Sequence, residues 1–373
     1  MRTLLFILLL LPCFASGQMF GALGYYYVPS GTPTPASNEW NIEIQASQCG
    51  TAVSDTFTVL VSLRSDSLKP TYKGGLTACL TGNDIRFYTT DTNTLLNWAK
   101  ERYDPDSGIV IMWVKIYSVS NSSNTTFKMD CGRTTDTSSF KGGATGTAWK
   151  STVIGAYFMN DATGANLTDN SARGNTFTQV NSPVLTSGQV GNSESFSSAS
   201  TMHYTATFAD IKGLTNMSMV MWAKRNSTIT SVIAGSHSGT PAIVGYVYSD
   251  GIIYFQLNSR YGYYTNSTAN WQHYGFVFAG GGAGEADRCK IYGNGSNQSL
   301  SFAGPGSIPT TLSSTAGDFK IGKDGANADY TNGRIDALIF YNEAVSSSWM
   351  TTMYNNQNSP GNLGSAGFLR FYH

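Results

Sequence analysis

Residues 333–344 read Gly-Arg-Ile-Asp-Ala-Leu-Ile-Phe-Tyr-Asn-Glu-Ala: a glycine-containing turn feeds an alternating apolar strand, and a short polar helix follows. Segments of that kind dominate the chain and restrict what it can fold into. In residues 55–63, Phe57, Val59, Val61 and Leu63 share one face, the two-residue period of a half-buried strand. Residues 84–88 and 95–98 read as further strands. Residues 108–117 are almost continuously apolar and read as a central strand, and residues 125–130 close the set. The one helical signal is residues 347–357, where Ser346 or Ser347 can cap and Trp349, Met350 and Met353 form a face against a sheet. These periods predict an all-β protein of two tandem, jelly-roll-like β-sandwiches with one short C-terminal helix.

Composition narrows the function classes. Charged residues make up only 12% of the chain, aromatics 13%, and Tyr numbers 21, a mix that suits short strands and polar turns and argues against disorder. Lys+Arg and Asp+Glu balance at 23 each, so there is no electrostatic footprint for nucleic acid or an anionic membrane. Arg2, the apolar run 4–11 and Ala15-Ser16-Gly17 predict a signal peptide over residues 1–17. Pro12 interrupts that run well short of the roughly 20 apolar residues a membrane span requires. The expected product is secreted, extracellular or held at a cell surface. Residues 18–38 read as an extended Tyr/Pro-rich arm, 39–135 as the first sandwich and 136–149 as a Gly/Ser/Thr linker. Residues 150–358 read as the second sandwich, and 359–373 as a tail whose residues 368–372 are a candidate extra strand.

Two resemblances bear on these regions. In the first, residues 57–63, Asn83-Asp84-Ile85-Arg86-Phe87, Leu95-Leu96-Asn97-Trp98, Tyr103-Asp104-Pro105 and residues 111–116 follow the order of a family of secreted domains of unknown function. Such domains often precede lectin-like sandwiches. This chain departs from the family at Cys131-Gly132-Arg133, where a Tyr-Gly-Asn-like turn is usual. In the second region, Asp169-Asn170-Ser171, Met219-Val220-Met221-Trp222, Asn270-Trp271-Gln272-His273-Tyr274, residues 289–295, 319–323 and 333–344 resemble concanavalin A-like, laminin-G-like lectin sandwiches. Ser197-Ser198 stand where that family often has Asp-Gly. The resemblance implies a binding module and tilts the reading away from an enzyme.

Candidate chemistry is sparse. Cys49, Cys79, Cys131 and Cys289 remain after the signal and allow three pairings in an oxidising compartment. Cys49–Cys79 is favoured because both lie in turn-rich stretches flanking the strand at 57–63; Cys131 and Cys289 then bridge the domains or stay buried thiols. Asn-x-Ser/Thr sequons stand at Asn121, Asn124, Asn166, Asn216, Asn226, Asn266, Asn294 and Asn297, candidates for glycosylation in a eukaryotic host. Glycoside hydrolysis needs two facing carboxylates, and Glu285-Ala286-Asp287 offers that spacing only within a turn. Gly235-Ser236-His237-Ser238-Gly239 imitates a nucleophile elbow with His at its centre and reads as a polar hairpin loop. The phosphate-loop look of residues 317–323 fails because Asp324 stands where a Ser or Thr hydroxyl is required.

Two binding candidates are left. Calcium takes six to eight oxygens, and Asp324, Asn327, Asp329 and Asp336, joined by Asp169 from the opening turn, could supply several; turn chemistry explains the same letters. Sugar binding needs exposed aromatic faces with amide partners, and Tyr261, Tyr263 and Tyr264 near Asn258 fit, as do Tyr246 and Tyr248. The expected function is therefore non-catalytic recognition or adhesion, contacting extracellular glycans or surface glycoproteins. The alternative is a structural subunit, its arm or tail adding a strand to a neighbour's sheet. A glycoside hydrolase is the third reading.

Overall fold

A computed structural model describes residues 39–51, 56–134, 142–227, 232–237, 243–247, 251–314, 318–324, 329–363 and 367–372. The expected signal peptide, the arm, residues 136–141 of the expected linker, Tyr248 and Asn327 lie outside the described residues. Among the described residues four sheets carry the fold, and no helix is long and apolar enough to cross a membrane.

The first module stacks two sheets. Glu39–Ile44 turns Trp40, Ile42 and Ile44 inward, all fully buried, and pairs with Thr125–Asp130, which in turn pairs with Arg86–Thr89. The facing sheet has Ile109–Ile116 between Phe57–Arg64 and Trp98–Asp104. Phe87 and Trp98 meet edge to face across the gap, centroids 5.6 Å apart. Ile109–Ile116 is apolar except for Lys115 because both of its faces are covered: Trp113 packs on Trp149 and Phe158, which follow the first module in sequence. Residues 95–98 do not form the expected strand. Leu95 makes an isolated bridge to Tyr88, and the strand starts at Trp98.

The second module places two broad sheets face to face over a second core. Its inner sheet runs Ser296–Asn297, Cys289–Gly293, Gln272–Ala279, Asn216–Arg225, Gly333–Tyr341, Asn192–Phe196, Val184–Ser187, with Val153–Tyr157 also pairing on Gly333–Tyr341. Its outer sheet runs Ser301–Ala303, Arg260–Thr265, Ile252–Leu257, Ile243–Val247, Val232–His237, Phe319–Ile321, His203–Ala206, Thr178–Val180. Along Gly333–Tyr341, Ile335, Leu338 and Phe340 enter the core between these sheets. Ala337, Ile339 and Tyr341 instead join the core of the first module. A bulge opposite Val220–Trp222, with Ala337 at φ +48°, lets the strand serve both sides.

The modules are thus not beads on a linker. Val220, Trp222, Val277 and Tyr292 of the inner sheet share one core with Phe57, Trp113 and Trp149, so the inner sheet is a middle layer. Helix Ser347–Asn358 lies in that shared core, its N-terminus capped by Ser346 Oγ accepting from Trp349 N at 3.1 Å. Asn356 is buried and holds both backbone groups of Leu60: its Oδ1 accepts from Leu60 N at 2.7 Å and its Nδ2 donates to Leu60 O at 3.0 Å. A Cβ on Gly50 would stand 2.4 Å from Ser348 Cα, so only glycine lets the first module's backbone lie against the helix. The expected linker likewise ends in buried Ala148 and Trp149. The tail does form the extra strand, but within its own chain: Leu369–Tyr372 pairs antiparallel with Asn41–Ile44.

Candidate functional site

The outer sheet carries the one expected binding feature that the structure assembles. Ile252–Leu257 and Arg260–Thr265 form a hairpin through the two-residue turn Asn258-Ser259, with Asn258 at φ +64°. That turn fixes the register: Leu257 faces Arg260, Gln256 faces Tyr261 and Tyr254 faces Tyr263. Ile253, Phe255 and Leu257 are fully buried. Gly262 also faces inward, where a Cβ would sit 2.9 Å from Cys289 Sγ. The alternate positions Tyr254, Gln256, Tyr261 and Tyr263 therefore share the outward, half-buried face.

On that face the three rings touch. Tyr254 and Tyr261 stand 5.2 Å apart at 73°, Tyr254 and Tyr263 5.9 Å at 33°, and Tyr261 and Tyr263 5.9 Å. Gln256 Nε2 donates to Asn258 O at 2.7 Å, which holds the amide beside the rings. On the next strand, Ala303 faces Tyr261 and Ser301 faces Tyr263. Arg260 is engaged elsewhere, donating to both oxygens of Glu285 at 2.9 and 2.8 Å and to Gly304 O. The face thus combines apolar ring surface with phenol hydroxyls and an amide, and none of the residues named on it carries a charge.

Of the expected sugar contacts, Tyr261 and Tyr263 are on this face. Tyr264 is not. Its parity turns it inward, where its hydroxyl comes within 2.7 Å of a Cβ position on Gly293 and burial pushes its pKa up to about 12. Asn258 is the turn residue, holding the positive φ that Asn tolerates. Tyr246 lies opposite Tyr254 in the next ladder. Tyr254 was absent from the expected set, although the Asn-Ser turn with its fixed register would have found it.

The calcium ligands are not brought together: among the described residues no three His, Cys, Asp or Glu side chains converge on a metal position. Asp169 staples its own turn, accepting from Ala156 N, Ser171 N, Ser171 Oγ and Asn175 N at 2.7–3.0 Å. Asp336 is fully buried and accepts from Gln189 N and Val190 N at 2.8 and 2.7 Å. Asp324 N donates to Asp329 O at 3.0 Å. Asp169 is thus where turn chemistry places it.

Other expectations are corrected. Cys49 and Cys79 are free thiols, not a pair. Cys49 stands 3.7 Å from Gln45 O beside the C-terminal helix, whereas Cys79 donates to Asp84 Oδ1 at 3.3 Å. Cys131 and Cys289 are free as well, and burial pushes the Cys289 thiol up to about 12. Gly235 to His237 are strand, not hairpin loop. Glu285 begins a one-turn helix and is paired with Arg260, which holds its carboxyl below the usual range. Among the sequons Asn121, Asn124, Asn166, Asn226 and Asn297 are exposed, and Asn216, Asn266 and Asn294 half-buried. Asn294 also uses its amide to accept from His273 N and donate to Gln272 Oε1, which opposes glycan attachment there.

Comparison with known proteins divides the chain in the expected order. Residues 81–174 match a domain of unknown function, and residues 198–350 match the concanavalin A-like lectin/glucanases superfamily. The first match runs on through the expected linker, in keeping with the buried Trp149. No curated protein matches the sequence. Among solved structures, the binding domain of Paraclostridial Mosquitocidal Protein 1 is similar at 12% identity, 56% of this chain, 53% of that one and a TM-score of 0.43. The receptor binding domain of botulinum neurotoxin mosaic serotype C/D is similar at 14% identity, 55% and 51% coverage, TM-score 0.42. Domain 4 of AbnA, an extracellular arabinanase from Geobacillus stearothermophilus solved with arabinotriose, is similar at 17% identity, 54% and 98% coverage, TM-score 0.42. The chain spans about half the length of the first two.

Proposed function

We propose that this chain, a domain of unknown function followed by a concanavalin A-like lectin/glucanase domain, is a secreted, non-catalytic recognition protein. It binds glycans on the outer sheet of its second module. The observation that carries this reading is the outward cluster of Tyr254, Tyr261 and Tyr263 beside Gln256. Half-buried rings present flat apolar surface to the C–H faces of a sugar ring, while their hydroxyls and a neighbouring amide serve its hydroxyls. Because the named residues of this face carry no charge, the favoured ligand is a neutral saccharide. With no carboxylate among them, the face lacks the pair of acids that glycoside hydrolysis uses.

The test is a glycan array probed with the chain from residue 18 onward, with calcium and again with EDTA. Reproducible binding to neutral glycans, equal under both conditions, is expected. Binding confined to acidic glycans, or lost in EDTA, would move the site off this face. Silence on every glycan would remove the lectin reading.

A further inference from the structure

Among the outward side chains of the tyrosine hairpin, Gln256 alone brings an amide, and the structure fixes how that amide is turned. Gln256 is half-buried on Ile252–Leu257, two positions from Tyr254 on its own strand and directly across from Tyr261. Its Nε2 donates to Asn258 O at 2.7 Å. The partner is a main-chain carbonyl, which can only accept, so the amide nitrogen and not its oxygen must face the turn. A flipped amide would set two acceptors against each other. Oε1 is therefore turned away from Asn258, and it makes no hydrogen bond among the described residues. The charged donor of the hairpin is engaged elsewhere: Arg260 donates to both oxygens of Glu285 and to Gly304 O.

The tether and the rings are placed by one element. Asn258 holds φ +64° in the two-residue turn, and Leu257 pairs with Arg260 on either side of it. The carbonyl that receives Gln256 Nε2 thus belongs to the turn that sets the register of Tyr254, Tyr261 and Tyr263. The neighbouring strand Ser301–Ala303 sets only short side chains beside the rings, with Ala303 facing Tyr261 and Ser301 facing Tyr263.

A sugar unit that lays its C–H face on a tyrosine carries its equatorial hydroxyls outward in its own plane. A hydroxyl can donate to a fixed amide oxygen, whereas a methyl ether, an ester or a carboxylate brings only more lone pairs to it. Once a bound sugar covers that oxygen, water no longer serves it, so an analogue lacking the donor leaves it unpaired. We propose that Gln256 Oε1 is the specificity-determining acceptor of this face: it takes one free hydroxyl of a neutral saccharide unit stacked on the tyrosines, and it disfavours a unit that is methylated, acylated or acidic at that position. This assignment rests on glycan binding at the tyrosine face.

The experiment is calorimetric titration of the chain from residue 18 onward with the neutral saccharide that binds best on the array and with each of its monodeoxy and mono-O-methyl derivatives, repeated with Gln256→Leu. In the parent one position should stand out, its deoxy and O-methyl forms both binding about fivefold more weakly. Gln256→Leu should bind the unmodified saccharide about fivefold more weakly and no longer distinguish that position. Affinity ratios across the series that are the same in parent and variant would overturn the proposal. Loss of the bond to Asn258 O can weaken stacking, but it cannot erase a preference at a single hydroxyl. Should Gln256→Leu fail to fold, Gln256→Met, which keeps the length and removes the amide, takes its place under the same criterion. Silence of the parent toward every saccharide would bring down glycan binding and this assignment with it, whereas binding with a flat series brings down the assignment alone.

Discussion

Replacing Asn356 with alanine should destabilise the chain by about 2–6 kcal/mol, read as a lower urea midpoint with the slope unchanged. Leu60 belongs to Phe57–Arg64, an edge strand of the three-stranded sheet. The Asn356 amide covers that edge as a neighbouring strand would, at 2.7 and 3.0 Å. Alanine leaves the N–H and C=O of a residue that is 1% exposed without partners, and each such loss costs about 1–3 kcal/mol. The helix itself should survive, since its cap and the packing of Trp349 against Phe57, 5.1 Å between centroids, are untouched. A variant within about 0.5 kcal/mol of the parent would mean that the helix is not what closes this edge.

Truncation after residue 366 should have a larger effect, and a local one. It removes Phe368 and Leu369, both fully buried, and Phe371, 7% exposed, together with the ladder to Asn41–Ile44. At about 1.5–3 kcal/mol per large buried apolar side chain the loss is roughly 5–9 kcal/mol, comparable with the whole stability of an ordinary domain. Amide exchange should lose protection across Glu39–Ile44 and Thr125–Asp130, while the core between the two sheets of the second module keeps it. Equal protection in the truncated and full chains would show that the tail is ornamental.

Strand-level structure was legible because its signals are local. Phe57, Val59, Val61 and Leu63 alternate and are all buried, and the helix begins where Ser346 caps it. The way the modules join was not legible, because it depends on contacts between residues nearly 300 positions apart, such as Leu60 with Asn356. Trp149 reads as the end of a polar connector, and only Trp113 and Phe158 on either side explain its burial. At the candidate site Tyr261 and Tyr263 were found by composition. Tyr264 was included because a run of tyrosines hides the alternation that places neighbours on opposite faces. The acids failed as a calcium set for a related reason. Asp336 was read as a strand residue that could join the loop before it, but it is fully buried in the seam between modules.

The most direct test of glycan recognition is calorimetric titration of a neutral saccharide selected on the array into the parent chain and into Tyr254→Ala, Tyr261→Ala and Tyr263→Ala. Truncating a central aromatic contact typically removes about 2 kcal/mol of binding, so each variant should bind roughly thirtyfold more weakly. Tyr264→Phe, which alters only an inward hydroxyl, should bind as the parent does. Unchanged affinity in the three folded alanine variants would contradict the account and place the saccharide elsewhere on the chain.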